Sequence, residues 1–188
     1  MTPAKSERVK VISKQLKHDY PSVTTPLNHN NAYELMISAV LSPQTPDETT
    51  NKVTPKLFDR YPTLQDLANA EYEDVLEIIR PVNYNKTKSR RLIKLANEIM
   101  DRFDGQIPTT LKELMSLPGI GRKVGNVIIS EWFAVHNPEI QDEGFVVDTH
   151  VMRVAKRLGL TKETKPDKIE KDLMKIWPQD EWRDWSLR

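Results

Sequence analysis

Apolar residues in this chain return every three to four positions, and prolines stand where such runs should break. Together these two habits leave little but helices to build with. Tyr72, Val75, Leu76 and Ile79 are spaced as one helix face, as are Val151, Val154, Ala155 and Leu158. Leu92, Leu95, Ala96, Ile99, Met100 and Phe103 carry such a stripe further. Most of the 13 prolines, among them Pro21, Pro26, Pro62, Pro81, Pro108, Pro118, Pro138, Pro166 and Pro178, fall at expected ends of helices, where a fixed φ and a missing N–H are tolerated. The pattern predicts helices near residues 4–19, 31–41, 47–60, 63–70, 109–116, 122–135, 149–158 and 166–176. Val146 and Val147, the best strand candidate, are too short a run for a sheet. The fold expectation is all-α, with short loops and one longer acidic link over 136–147.

Composition then removes whole classes of function. With 188 residues, 38% of them hydrophobic, the chain can bury one large core or two small ones. No apolar run approaches the roughly 18–20 residues of a membrane span, and the opening MTPAKSERVK lacks the apolar stretch of a secretory signal. The expectation is an intracellular protein of the cytoplasm or nucleoid with no membrane partner. The chain contains no cysteine, which excludes disulfides, a thiolate nucleophile, cysteine-held zinc and a cysteine-held iron–sulfur cluster. Its four histidines show no metal-ligand spacing. Twenty-eight basic against 27 acidic residues leave +1, so any basic footprint for a nucleic acid must be local.

Glycine is scarce, with six in all, yet Gly119, Gly121 and Gly125 fall within seven residues. The surrounding LKELMSLPGIGRKVGNVII reads as a helix, a tight turn at PGIG, and a second helix opening near Arg122. Pro118 stops the first helix, while Gly119 and Gly121 permit angles and close approaches that a Cβ would obstruct. Such a turn aims backbone N–H groups and a helix N-terminus outward, a surface suited to a phosphate oxygen. Lys123 is electrostatically misplaced there, since helix N-termini favour acidic residues. The helix dipole, neighbouring Arg122 and partial burial would favour its neutral, nucleophilic amine. Gly125, inside the second helix, costs about 1 kcal/mol against alanine and signals close packing.

Further on, GFVVDTHVMRVAKRLGL places Asp148 directly before a helix that Gly159 can close. An aspartate there is first an N-cap. Val146 and Val147 would hold the same carboxylate at the edge of the core, where it could also face a lysine.

LPGIGRKVGNVI followed by VVDTHVMRVAKRLGL resembles the helix-hairpin-helix DNA glycosylases with a Gly/Pro-rich loop and catalytic aspartate, most closely the endonuclease III family. The resemblance is specific over 114–158, weaker over about 31–176, and includes LSPQTPDETTNKVTPKLFDRYP at 41–62. It implies base-excision repair by a bifunctional DNA glycosylase and apurinic/apyrimidinic lyase directed at oxidised pyrimidines, acting as a monomer on double-stranded DNA. By the family motif, Lys123 would be the nucleophile and Asp148 its carboxylate partner. Gly119, Ile120, Gly121 and Arg122 would hold a phosphate beside the lesion, with a monovalent cation on the hairpin carbonyls. Gln44 and Tyr84 would fill the hole left by an extruded base, and His150 would be a further DNA contact. Beside Tyr84, Lys88 and Arg91 belong to a basic run with no acidic residue from 78 to 97, which gives candidate phosphate contacts.

The resemblance also implies an architecture. Residues 22–136 would form a continuous subdomain containing the helix-hairpin-helix at 111–135, and residues 1–21 with 137–188 a discontinuous one. A cleft would separate them, with Lys123 and Asp148 on opposite walls. Most endonuclease III relatives end with four cysteines on an iron–sulfur cluster, whereas this chain reads EWRDWSLR at the corresponding place. No cofactor is therefore expected, and Trp177, Trp182 and Trp185 would supply packing against the N-terminal helix. Link 136–147, with Glu139, Asp142 and Glu143, could shield the cleft edge or alter lesion choice. Competing readings keep the fold but act on mismatched thymine, uracil or an oxidised purine, or reduce it to a non-catalytic DNA-binding module or a helical scaffold unrelated to DNA.

Overall fold

The computed structural model describes the chain from residue 3 to residue 188, and those residues contain helices and no strand. Helix α2 (Ala32–Leu41) lies at the centre of the larger core, because every residue from Tyr33 to Leu41 except Glu34 is buried. A helix apolar all round must be surrounded by others. Its neighbours are α3 (Asp47–Arg60), α6 (Asn85–Phe103) and α8 (Arg122–Ile128). Short helices α4 (Leu64–Ala68) and α5 (Tyr72–Ile78) rest on α6. Local chemistry sets their ends. Asn31 caps α2 by accepting the Glu34 N–H, and Thr63 with Asp66 closes a full capping box on α4.

Two expected helices differ in detail. The segment 109–116 yields only α7 (Leu111–Leu114), capped by Thr110, because Ser116 and Leu117 turn away through tighter bonds to Glu113 O and Leu114 O. The expected helix 122–135 is α8, one π-helical turn (Ile129–Phe133) and α9 (Ala134–His136) in succession. The π turn carries three consecutive buried residues, Ile129, Ser130 and Glu131.

Apolar side chains collect in two clusters. The first runs from Leu27 to Ile129 and is almost wholly aliphatic, with Leu35, Met36, Ile37, Leu41, Leu57, Leu67, Ile79, Leu92, Leu95 and Ile99 fully buried. Each such side chain contributes roughly 1.5–3 kcal/mol relative to leaving it exposed. The second joins Val9 of α1 (Pro3–Asp19) to Phe145, Val147, Ala155 of α10 (Thr149–Arg157), Ile169 and Leu173 of α11 (Pro166–Leu173), and Trp177, Trp182 and Trp185. Trp182 and Trp185 belong to α12 (Trp182–Leu187). The Trp177 and Trp185 rings stack at 4.6 Å, and the Trp177 indole donates to Ser13 Oγ of α1 at 3.1 Å. Lys17 pairs with Glu181 at 3.0 Å, and the Arg188 guanidinium donates to Tyr20 O. The tryptophans thus fasten the last helices to the first, as their apolar bulk implied.

Candidate active site

The hairpin presents Lys123 on the first turn of α8, one residue after Arg122 and two after the Gly121 cap. Its side chain is exposed, so the partial burial expected from sequence is absent, and the turn displays the amine instead of enclosing it. Gly119 has φ +87°, a left-handed angle that favours glycine, and a Cβ there would meet Arg91 Cδ at 2.2 Å. The close approach at Gly119 is therefore that of Arg91, whose methylenes cross the turn. Gly121 differs: its φ of −90° is ordinary, and a Cβ would meet no protein atom within 4 Å. The residue is the N-cap of α8, a position glycine tolerates well, and the space beside it is open. Ile120 is buried at 4%, and its N–H is spent on Leu117 O at 3.3 Å. Its side chain therefore anchors the turn, and its amide is not offered to a ligand. Gly125 fits under Leu111, whose Cδ1 a Cβ would meet at 2.6 Å, which is the close packing expected of it.

Asp148 caps α10. Its Oδ1 accepts the backbone N–H groups of His150 at 2.9 Å and Val151 at 2.8 Å. Oδ2 takes no bond from the described residues, so half of the carboxylate fixes the helix and half stays available. His150 is exposed beside it and accepts at Nδ1 from Arg153 at 3.2 Å, which leaves Nε2 facing outward. Arg153 carries no acidic partner among the described residues, and no acidic residue occurs from 149 to 162. Arg153, Lys156 and Arg157 thus make a second local basic strip, legible in the sequence from the same lack of acidic neighbours.

One buried glutamate joins the two halves. Glu170 of α11, 3% exposed, accepts from the Arg122 guanidinium through both carboxylate oxygens, with Nη2 to Oε1 at 3.0 Å, and from Asn126 Nδ2 at 3.1 Å. Gly144 lies against the same group, since a Cβ there would meet Glu170 Oε1 at 2.1 Å and Asn126 Nδ2 at 2.6 Å. Arg122 is thus held in an ion pair that raises its already high pKa, and its charge is compensated beside Lys123. Glu143 adds a second tie by accepting the Leu111 N–H at 2.8 Å. Link 136–147 is consequently a strap between the hairpin and α11, with Asp142 buried within it. Burial pushes the Asp142 carboxyl up to about 6.

Lys88 requires a correction. Expected as a phosphate contact, it is 3% exposed, and its ammonium donates to Leu41 O at 2.6 Å, Pro43 O at 2.8 Å and Thr45 Oγ1 at 3.0 Å. It cannot also reach DNA. The signal was present in the sequence, because Lys88 stands four and seven residues before Leu92 and Leu95 on the apolar stripe of α6. Desolvation lowers its pKa to about 8. Arg91 by contrast is exposed and unpaired among the described residues.

Gln44 and Tyr84 lie on separate loops, yet both have φ 59°, and with the helix-ending Asp104 they are the non-glycine residues at positive φ. Asn83 Nδ2 donates to Gln44 O, which joins the two loops directly. Gln44 is exposed, and Tyr84 is 66% exposed despite its large ring. Such angles cost of order 1–3 kcal/mol and persist where surrounding structure over-determines them.

The chain has no cysteine, and among the described residues no three histidine, aspartate or glutamate side chains are grouped to hold a metal.

The model of the HhH-GPD superfamily of base excision DNA repair proteins matches residues 37–179. Endonuclease III of Synechocystis is 38% identical over 184 residues, covering 98% of this chain and 81% of that protein. Endonuclease III of Thermotoga maritima is 36% identical, covering 84% of this chain and 71% of that one. The solved structure of a trapped endonuclease III–DNA covalent intermediate superposes with a TM-score of 0.89 at 36% identity, covering 97% of this chain and 83% of that one. Fold, hairpin and sequence kinship converge, and the chain belongs to the HhH-GPD superfamily of base excision DNA repair proteins, as a member of its endonuclease III family.

Proposed function

We propose that this protein is a bifunctional DNA glycosylase and apurinic/apyrimidinic lyase that removes oxidised pyrimidines from double-stranded DNA, acting as a monomer inside the cell. The two apolar clusters would be the cores of the two subdomains, 22–136 and 1–21 with 137–188, and the cleft between them would receive the flipped nucleotide. One observation carries the chemistry: a displayed lysine at the head of the hairpin's second helix is retained together with a capping aspartate whose second oxygen is free. Simple duplex binding requires neither.

The neutral Lys123 amine attacks C1′ of the damaged nucleotide as the C1′–N bond breaks and the base departs with the bonding pair. Asp148 Oδ2 takes the proton released by the attacking amine and stabilises positive charge developing on the sugar. The protonated Asp148 then gives that proton to O4′ as the C1′–O4′ bond breaks, and the nitrogen lone pair closes a Schiff base between Lys123 and C1′. Loss of a C2′ proton then expels the 3′ phosphate, and hydrolysis of the imine restores the amine. Gly121 leaves space for a strand phosphate near Lys123, a monovalent cation would sit on the hairpin carbonyls, and Arg91 and His150 with Arg153 add contacts on either side. Among the described residues no helix is long and apolar enough to cross a membrane.

Borohydride reduction in the presence of an abasic-site duplex tests the reading. The wild type is expected to form a covalent protein–DNA adduct that Lys123→Ala does not form. Equal duplex binding with no adduct from either protein would leave only a DNA-binding module.

A further inference from the structure

The Lys88 ammonium does not face solvent, and what it holds is the turn that ends in Gln44. Its three acceptors, Leu41 O, Pro43 O and Thr45 Oγ1, bracket Gln44 on both sides. An ammonium has three donors and no acceptor, so the site is filled completely. Thr45 is itself 7% exposed and Leu41 is fully buried, and the exposed Pro43 and Gln44 stand between these two buried anchors. The same helix begins at Asn85 with Tyr84 as its left-handed cap, and Asn83, one residue earlier, reaches across to Gln44 O. Lys88 accepts nothing from the loop side chains but bonds through its own N–H to Tyr84 O at 2.9 Å. Backbone and side chain of one residue therefore grip both loops.

We infer that Lys88 and Asn83 are positioning residues that bolt the Gln44 and Tyr84 loops into one rigid wedge, so that both side chains enter the duplex together at a fixed separation. The inference rests on the proposed reading of Gln44 and Tyr84 as the groups that fill the space of an extruded base. Ordering two flexible loops at the moment of insertion would cost conformational entropy for each, and here that ordering is already present in the free protein. The positive φ of both residues fits this account, because a strained backbone is kept only where neighbouring bonds impose it.

A single-stranded abasic oligonucleotide offers no stack to hold open, whereas a duplex does, and comparing the two isolates the wedge from the chemistry. Lys88→Met removes all three side-chain donors at nearly constant volume, and Asn83→Ala removes only the bridge from an exposed position. In Lys88→Met, borohydride trapping on an abasic duplex is expected to slow about 10–100-fold, in line with the cost of misplacing a positioning group, while trapping on the single strand stays near wild type. Asn83→Ala is expected to slow the duplex reaction about 3–10-fold, the worth of one hydrogen bond, again sparing the single strand. A 2-aminopurine placed opposite the abasic site reports insertion directly, and its fluorescence change on binding should shrink in both variants. Equal loss on both substrates would assign these residues to general architecture, and unchanged duplex trapping with an unchanged 2-aminopurine signal would show that the loops need no bolt; either overturns the inference. Should Lys88→Met not fold, Asn83→Ala decides alone. Failure of the wild type to trap either substrate would instead strike the lyase reading itself.

Discussion

The lysine and the aspartate of the candidate site are mounted on cores of different construction. Lys123 stands on α8, whose inner face joins a continuous aliphatic cluster with ten of its larger side chains effectively removed from solvent. Asp148 stands on α10, which shows only Ala155 fully turned inward. Its cluster gathers residues from both ends of the described chain, relies on tryptophans left 5–9% exposed, and borders a cavity of about 290 Å³ between Asp148, Leu16, Val151 and Trp185. The first region is held by packing, the second by packing supplemented with polar ties such as Glu170, Lys17–Glu181 and the indole bonds. Lys123 is thus mounted on a packed platform, and the placement of Asp148 depends on specific bonds.

The largest expected effect separates chemistry from support. Asp148→Asn keeps a capping side chain, so its unfolding midpoint should stay near wild type while borohydride trapping falls about 10²–10⁴-fold, the usual worth of a proton-transfer group. A matching loss of stability would show that the weaker core, and not the carboxylate chemistry, had been disturbed. Next is Leu95→Ala in the aliphatic core, expected to cost about 2–5 kcal/mol in urea unfolding and to weaken every function in proportion. A much smaller cost would contradict the account of the first region as tightly packed.

Glu170→Gln acts on the junction. Arg122 is 44% exposed and can be rehydrated, so a cost of about 1–2 kcal/mol is expected, below that of breaking a fully buried pair. Trapping should slow while duplex affinity, read by salt-dependent titration, changes little. The smallest effect is that of pH on the strap. Burial pushes the Asp142 carboxyl from its ordinary value of 3.8 up to about 6, so the folded protein binds the extra proton and the stability this confers is complete below about 3.8. It is lost as pH rises through about 6. Glu131 is raised in the same direction by burial. The urea midpoint of the wild type should therefore fall across that interval, and the difference between wild type and Asp142→Asn isolates the Asp142 contribution.

Much of this arrangement was legible from residue spacing. Apolar periodicity gave the helices, PGIG gave the hairpin, and Asp148 announced itself as a cap before any chemistry was assigned. The tryptophans were readable because bulk in a segment short of aliphatics must be buried somewhere. What could not be read depends on tertiary partners. Lys88 has charged neighbours in sequence although its position on the stripe of α6 points inward, and nothing nearby in sequence shows that Leu41, Pro43 and Thr45 await it. Glu170 sits next to Ile169 and three before Leu173, a buried register that periodicity could have flagged, but its partner Arg122 lies 48 residues away. The left-handed angles of Gln44 and Tyr84 leave no trace in composition, since neither is glycine and the bonds that impose them come from other loops.

The union of α1 with the tryptophans bears on how the molecule is made. Ser13 and Lys17 of α1, with Tyr20 just beyond it, bond to Trp177, Glu181 and Arg188, which leave the ribosome long after them. The aliphatic cluster can assemble from one uninterrupted stretch while translation proceeds. Helix α1 lacks these partners until residues 177–188 have emerged. A nascent chain would thus carry Lys123 on an assembled platform before the segment bearing Asp148 is fastened to α1, and the relative placement of the two residues would be set only once residues 177–188 have emerged.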